Sequence, residues 1–141
     1  MIRTHSFKVN AQGRCELINI TDKVEGFLKQ SGLKEGSALA FCQHTTACII
    51  IMEHEPGLIK DTKDFFSRII PDDDYHHNRL NNDDNGKSHL AATLLNQSLT
   101  VPFIDGKLAL GRWQSIVFAD FDTKPRERSV IVQLNGEPGK K

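Results

Sequence analysis

Hydrophobic residues recur at helical spacing in one long segment between Pro56 and Pro71. This stripe consists of Leu58, Ile59, Thr62, Phe65, Phe66 and Ile69. A stripe with this period predicts an amphipathic helix that packs across a sheet and buries Phe65 in the contact. Proline fits the first turn of a helix and disrupts its interior, so the two prolines set the ends.

Two shorter segments have the same period. Asp22 and Glu25 have the spacing of a capping box, and apolar positions 24, 27 and 28 lead towards Gly32. Ser88 is placed to cap another helix, in which the apolar residues at 90, 91, 94 and 95 would face inward. The pattern therefore predicts about three helices.

About eight segments rich in β-forming residues predict strands. They cover residues 2–9, 15–20, 39–43, 46–52, 99–103, 107–110, 113–121 and 128–134. The first two flank a Gly-containing turn and predict a hairpin, and Asp105-Gly106 predicts another. Residues 47–52 are apolar on both faces, which is typical of a buried central strand. Because most connections are too short for crossovers, we expect a mainly antiparallel sheet or sandwich. The fold class is α+β, in one domain over residues 1–141.

Composition and charge restrict the kind of protein. Of 141 residues, 38% are hydrophobic and 26% are charged, as in an ordinary folded domain. Eighteen Lys plus Arg balance eighteen Asp plus Glu. A neutral chain has no general attraction to nucleic acid or anionic membrane, so we expect neither as a partner. Cys15, Cys42 and Cys48 form no C-x-x-C pair, which argues against a disulfide framework and a zinc ribbon. These features, with no signal peptide, predict a cytoplasmic protein.

Candidate chemistry is concentrated in residues 71–88, which contain five Asp, four Asn, His76 and His77 and are followed by His89. Long loops of this kind are often functional, although Asp and Asn also supply turns and caps in solvated loops. A second polar interruption, at residues 43–46, places His44 between two apolar strands. Glu53 ends the second of those strands.

A third candidate is the segment at residues 111–114, in which Gly111 precedes the single tryptophan, Trp113. A glycine at the start of a strand lets backbone approach a ligand, on which the indole then stacks. The alternative is a tryptophan in the core. From these residues alone, the prediction is an α+β domain with a site rich in His, Asp and Asn.

Four segments, in order along nearly the whole chain, resemble the small YjbQ-like proteins known as secondary thiamine-phosphate synthases. They are residues 44–47 with Glu53; residues 75–77, 83–85 and 88–89; residues 98–101, 105–106 and 108–110; and residues 111–114 with Asp120, Arg126 and Arg128. Arg112 departs from the Thr that is usual in the family. The resemblance implies a homotrimer with polar pockets near its subunit interfaces. It also implies a weak ability to join hydroxymethylpyrimidine diphosphate to a thiazole phosphate, which releases pyrophosphate.

The resemblance also suggests roles for particular residues. The catalytic candidates are His89, Asp84, His44 and His77. The candidates for binding the small phosphorylated substrate are Asn85, Trp113, Gln114, Arg112 and Glu53. Mg²⁺ on Asp84 and phosphate oxygens would assist departure of pyrophosphate. Three imidazoles, those of His44, His77 and His89, suit Zn²⁺ or another divalent metal, or phosphate when protonated.

Two other functions need the same residues and stay open at this point. One is a non-catalytic trimeric protein that binds a metal or a phosphorylated metabolite. The other is a metal-dependent phosphoester hydrolase that uses a metal-activated water.

Overall fold

The computed structural model of the protein describes residues 1–139. Its eight strands are β1 (Ile2–Ala11), β2 (Glu16–Asn19), β3 (Leu33–Cys42), β4 (Ala47–Met52), β5 (Ser98–Ile104), β6 (Lys107–Leu108), β7 (Ser115–Asp120) and β8 (Arg126–Pro138). Its helices are α1 (Thr21–Ser31), α2 (Pro56–Ile69), α3 (His76–Asn81) and α4 (Gly86–Leu95). The predicted α+β class is confirmed. The structure has four helices in place of three, because α3 lies in the segment that the sequence predicts as a loop.

The strands form two antiparallel sheets that pack face to face. The larger sheet has the order β1-β8-β3-β5-β6, and the smaller has the order β2-β7-β4. Alternate residues of each strand enter the core between the sheets, among them Val130 and Leu134 of β8 and Phe118 of β7. Helix α1 joins this core through Val24.

The other face of the smaller sheet packs against α2 and α4. Val117 and Ala119 of β7 lie in this second cluster. They are covered by Ile59 and Phe66 of α2 and by Ala91 of α4. The smaller sheet is therefore the middle layer of the molecule, between the larger sheet and two helices.

Two of the strand predictions are wrong. Strands β1 and β2 do not form a hairpin, because β1 pairs with β8 and β2 pairs with β7. Between them, Gly13, Arg14 and Cys15 all have positive φ and turn the chain from one sheet into the other. Strand β4 pairs with β7 at an edge of the smaller sheet rather than in its centre. Its apolar composition reflects the middle layer, where both faces are covered.

The apolar stripes of α2 and α4 are wider than the surfaces that they cover. Phe65 is 48% exposed, and Leu90 and Leu94 are 47% and 62% exposed. The buried residues of α4 are all small, namely Gly86, Ser88, Ala91 and Ala92. The predicted burial of Phe65, Leu90 and Leu94 is wrong, because a helix on a three-stranded sheet buries only the side that faces the sheet.

The predictions for turns and helix ends are confirmed in part. The hairpin at Asp105 and Gly106 is confirmed between β5 and β6, with φ of 52° and 76° at these two residues. Helix α1 ends before Gly32 as predicted, but Ile20 is its N-cap and no side chain caps it. None of the helices within residues 1–139 is both long and apolar enough to cross a membrane.

Candidate functional site

Polar residues from both sheets and from α4 meet at one rim of the sandwich. They enclose an open pocket of about 640 Å³, here called the His–Arg pocket. It is lined by Gln43, His44, Thr45, Thr46, Asn85, His89, Asp122, Arg126, Glu127 and Arg128. The residues come from the connection between β3 and β4, the N-terminal end of α4, the segment after β7 and the start of β8. The volume is within the range of small-molecule sites.

A buried ion network forms the floor of this pocket. Arg128 is 3% exposed and binds Asp120 through two bonds, Nε to Oδ2 at 2.6 Å and Nη2 to Oδ1 at 3.0 Å. Its Nη2 also lies 3.2 Å from Oδ2 of Asp122 and donates to Thr46 Oγ1 at 2.8 Å. Burial opposes the charge of Arg128, but the bonds to Asp120 outweigh it and raise the pKa of the guanidinium. Nε and Nη2 of Arg128 are thus engaged within the protein.

Arg126 lies at the rim, and half of its side chain is exposed. Its Nε donates to Asp122 Oδ2 at 2.5 Å, while its terminal nitrogens bond to no group among residues 1–139. Burial raises the pKa of Asp122, but hydrogen bonds from the Thr123 backbone and from Arg126 prevail, so the net shift is downward. Asp122 therefore stays ionised and holds Arg126 through Nε, which leaves both terminal nitrogens as donors without a partner among residues 1–139. A planar fork of this kind suits a phosphate.

His44 is held in one tautomer. The backbone N–H of Ser129 donates to its Nε2 at 2.9 Å, so the proton of a neutral ring is on Nδ1. Burial, followed by the positive charge of Arg128, lowers the pKa of His44. His44 is therefore a neutral imidazole with an Nδ1–H donor at the pocket.

His77 and His89 lie together, with ring centroids 4.4 Å apart. His77 Nε2 donates to Oδ1 of Asn85 at 3.1 Å, and Nδ2 of Asn85 contacts Asp122 Oδ1 at 3.5 Å. Burial, and then the neighbouring His77, lower the pKa of His89, so His89 too is neutral. These contacts connect the two histidines to the ion network through one buried amide.

Sequence and structure comparisons both identify relatives of this chain. The model of a family described as "UPF0047 protein YjbQ-like" matches residues 5–137. The chain belongs to this YjbQ-like family. A UPF0047 protein of Methanothermobacter thermautotrophicus is 41% identical over 97% of this chain and 94% of its own length. Another, of Archaeoglobus fulgidus, is 45% identical over 85% of this chain and 91% of its own. The crystal structure of a hypothetical protein of Aeropyrum pernix K1 superposes with a TM-score of 0.89, at 35% identity, over 96% of this chain and 99% of that one.

The structure brings together only some of the residues that resemblance to the YjbQ-like family suggests. His44, His89 and Asn85 line the His–Arg pocket, and His77 contacts both His89 and Asn85. Ser88, predicted as a helix cap, instead donates from its buried hydroxyl to the carbonyl of Phe121, and Asn85 is the N-cap of α4.

Asp84 lies outside the His–Arg pocket. Its side chain is exposed, and it accepts a hydrogen bond from Thr123 Oγ1 at 2.7 Å. This bond is the main reason why the pKa of Asp84 is lowered. It lines a neighbouring cavity that shares only Asp122 with the His–Arg pocket. The carboxylate is ionised, but it lines a different cavity from His89.

Four predicted substrate-binding residues lie at the opposite end of the smaller sheet. Ser115, just after the segment of Arg112, Trp113 and Gln114, pairs with Met52, just before Glu53. The histidines lie at the other end of the same two strands, which is about 17 Å away at about 3.3 Å per residue. Within one subunit, these four residues do not reach the His–Arg pocket.

Trp113 is 64% exposed and stacks only with the Arg112 guanidinium, 4.8 Å from its ring centroid. The core alternative for this tryptophan is therefore wrong. Gln114 folds back on the turn, since its Oε1 accepts from the Gly111 N–H at 2.8 Å. Glu53 is also exposed. This end of the sheet presents an aromatic ring and charges of both signs to the surface.

Two of the histidines predicted as metal ligands already bond to groups of the protein. Among residues 1–139, no three His, Cys, Asp or Glu side chains are grouped closely enough to hold a metal ion. Nε2 of His44 already accepts the Ser129 N–H, and Nε2 of His77 donates to Asn85. The metal cofactors stay predictions.

Sequence reasoning missed Asp122, which bonds to Thr46, Asn85, Arg126 and Arg128 of the His–Arg pocket. One signal was available. Arg128 is in register with Val130, Val132 and Leu134 on the inward face of β8, so its side chain had to be buried. A buried arginine requires a carboxylate partner, and the Asp-x-Asp pair at 120 and 122 immediately precedes this strand.

Proposed function

We propose that this protein is a small-molecule enzyme that binds a phosphorylated substrate in the His–Arg pocket and forms thiamine phosphate slowly. The observation that carries this proposal is the half-exposed Arg126, whose terminal donors are free beside two neutral imidazoles. An arginine fork binds phosphate, and neutral imidazoles donate or accept protons near pH 7. The specific reaction comes from the resemblance to the YjbQ-like family.

The reaction breaks a C–O bond to the diphosphate and forms a C–N bond to the thiazole nitrogen. The departing pyrophosphate keeps the electron pair, so it needs donors and positive charge. Arg126 supplies the charge, and Nδ1–H of His44 supplies a donor. His89 remains neutral, so one ring nitrogen is available to accept a proton or a hydrogen bond. Mg²⁺ bound to the diphosphate would neutralise further charge, and Asp84 is the candidate carboxylate for it.

A rate assay with the two proposed substrates and Mg²⁺ tests this function. We expect Arg126→Met and His89→Ala to lower the rate by at least about 10²-fold, as when a charge-stabilising or acid–base group is lost. Asp84→Ala tests the Mg²⁺ role separately, because its carboxylate lines a different cavity. Lys29→Met is the matched control: it removes an exposed charge from the last turn of α1 and should keep the wild-type rate.

The alternatives give different results in the same experiment. A folded wild type with no activity above buffer, but with calorimetric binding of the pyrimidine diphosphate that Arg126→Met abolishes, would favour the non-catalytic binding protein. Phosphate release from either substrate alone would favour the phosphoester hydrolase. Folded Arg126→Met and His89→Ala variants with wild-type rates would remove the His–Arg pocket from the mechanism. Circular dichroism confirms folding in each case.

We also propose that the subunit assembles as a homotrimer through the outward face of the larger sheet, here called the outer sheet face. Its central positions carry no charged side chain within the described strands. They are Thr4, Ser6, Ser37, Leu39, Phe41, Ser98, Thr100, Pro102, Ile131, Gln133 and Asn135. Phe41 is 40% exposed. In a chain with 26% charged residues, a sheet face with an uncharged centre supports a role in self-association, because interface cores are depleted of charge.

A trimer would also account for the distance between the two groups of predicted site residues. Trp113 and Glu53 lie at one end of the smaller sheet and the histidines at the other, so a neighbouring subunit is needed to combine them. We expect mixed trimers of Trp113→Ala and His89→Ala subunits to recover part of the activity that either variant lacks alone. No recovery after verified subunit exchange would contradict a shared site.

Light scattering tests the assembly directly. We expect a mass three times the 15.8 kDa of one chain at micromolar concentration. Phe41→Lys should dissociate the trimer, because it places a charge in the centre of the outer sheet face. Phe65→Lys is the matched control, since Phe65 is similarly exposed but lies on α2, on the far side of the smaller sheet. A wild-type monomer, or equal masses for the two variants, would contradict the assignment of this face.

A further inference from the structure

A second cavity lies on the other side of residues 121–123 from the His–Arg pocket. Its volume is about 570 Å³, and Asp122 is the only residue that it shares with the first pocket. Helix α2 forms one wall and the first half of α4 forms another, so we call it the α2–α4 cavity. The turn at residues 13–15 lies at its edge. The proposed function uses no residue of this cavity except Asp84 and Asp122.

The inner wall of the α2–α4 cavity is apolar and partly aromatic. Phe66 and Phe121 meet edge to face, with centroids 5.1 Å apart, and Ile70 and Ala91 extend the same surface. Aromatic walls with a few polar groups at the opening are typical of sites for small organic molecules.

The opening carries positive charges that the protein does not neutralise. Arg14 and Lys63 both line the cavity, and neither has a carboxylate within 4.0 Å among residues 1–139. Of the neighbouring acids, Asp64 pairs with Lys60 and Asp72 with Lys87, whereas Asp84 accepts only from the uncharged Thr123 hydroxyl and keeps its charge. Two free cations against one unpaired carboxylate leave an excess of positive charge, which favours an anionic group at the opening.

The backbone that presents Arg14 is strained. Arg14 and Cys15 have φ of 58° and 61°, and Gly13 before them has φ of 82°. Two consecutive non-glycine residues in the left-handed region are costly, and such strain is concentrated at ligand-binding sites and active sites. The Arg14 N–H donates to the carbonyl of Asp122 at 2.7 Å, which holds the turn in this conformation.

We propose that the α2–α4 cavity binds a small amphipathic anion. Its flat apolar body lies against Phe66 and Phe121, and its single carboxylate or phosphate binds Arg14 and Lys63. The apolar wall and the unneutralised cations line one cavity, so the ligand must carry both properties in one molecule.

Calorimetric titration with 1-naphthoate tests the proposal, with 1-naphthyl phosphate as the alternative anion and 1-naphthalenemethanol as a neutral molecule of similar shape. We expect the wild type to bind at least one anion about 10-fold more tightly than the alcohol. Arg14→Met and Lys63→Met should each weaken anion binding by about 10-fold and leave binding of the alcohol unchanged. Lys29→Met, which removes an exposed lysine of α1, should leave both unchanged.

Three outcomes would overturn the proposal. They are no binding of either anion at millimolar concentration, equal affinity for anion and alcohol, and anion binding that Arg126→Met weakens while Arg14→Met does not. The last result would place the anion in the His–Arg pocket instead. If Arg14→Met fails to fold, Arg14→Gly removes the same cation and relieves the left-handed conformation. A titration of the folded Arg14→Gly variant then decides the question, and the proposed reaction is tested independently of it.

Discussion

Removal of the Arg128 side chain should destabilise the fold strongly, and Arg128→Met is the sharpest test of the buried network. Met has a similar length and no charge, so the change leaves Asp120 and Asp122 without their main partner. These two carboxylates are 0% and 1% exposed. Breaking a buried ion pair by removing one partner costs about 3–5 kcal/mol, because a buried charge is left uncompensated. For a domain of this size, that corresponds to roughly 10–15 °C in Tm.

Urea denaturation at fixed protein concentration measures this loss. Arg126→Met is the matched control, because its side chain is 49% exposed, so we expect it to cost less than about 1 kcal/mol. The double variant Arg128→Met/Asp120→Asn should recover part of the loss, since it removes one of the unpaired charges. The loss of unfolding free energy in Arg128→Met should also be smaller at pH 4 than at pH 7, because an unpaired buried carboxylate takes up a proton. A loss below about 1 kcal/mol for Arg128→Met at pH 7 would refute this account of the network.

Three further predictions follow from local geometry. Gly13→Ala should lower the free energy of unfolding, measured by urea denaturation, by about 3 kcal/mol, because a Cβ there would lie 2.2 Å from the Asp122 carbonyl oxygen. A change below about 0.5 kcal/mol, the size of an ordinary surface substitution, would contradict the clash. Phe65→Asp should lower the free energy of unfolding by less than about 1 kcal/mol, since Phe65 is already 48% exposed. A larger decrease would indicate that α2 is covered in the assembly. The folded pKa values of His44 and His89 lie below 6.5, so the unfolded chain binds more protons and stability falls as the pH drops below about 6.5. His89→Gln should flatten this slope, and an unchanged slope would contradict the assignment.

The sequence predicted the larger elements of the fold where local physics determines them. The stripe after Pro56 forms α2 because one face of a helix must be apolar to pack, and Asp105-Gly106 forms a hairpin because both residues tolerate positive φ. Strand pairing was not predictable in the same way. The turn at residues 13–15 indicates a change of direction, but nothing local indicates that it leads into a different sheet.

The candidate site was predicted only in part, because its composition also depends on how the strands pair. The polar segments identified His44, His89 and Asn85, which the fold brings to one pocket from positions far apart in the chain. Which end of a strand a residue occupies depends on strand direction and register. Trp113 and Glu53 were therefore grouped with the histidines, although β4 and β7 place them at the opposite end.

The ion network explains why the site lies where it does. Arg128 belongs to the larger sheet, while Asp120 ends a strand of the smaller sheet, so their paired bonds join the two sheets at one rim. Asp122 lies two residues beyond Asp120 and is held by the same guanidinium. It in turn positions Arg126 and Asn85, which reach the pocket. The groups that stabilise the rim therefore also orient the groups available to a ligand. Changes at Arg128 should impair binding through misplacement, whereas changes at Arg126 should impair binding with little effect on stability.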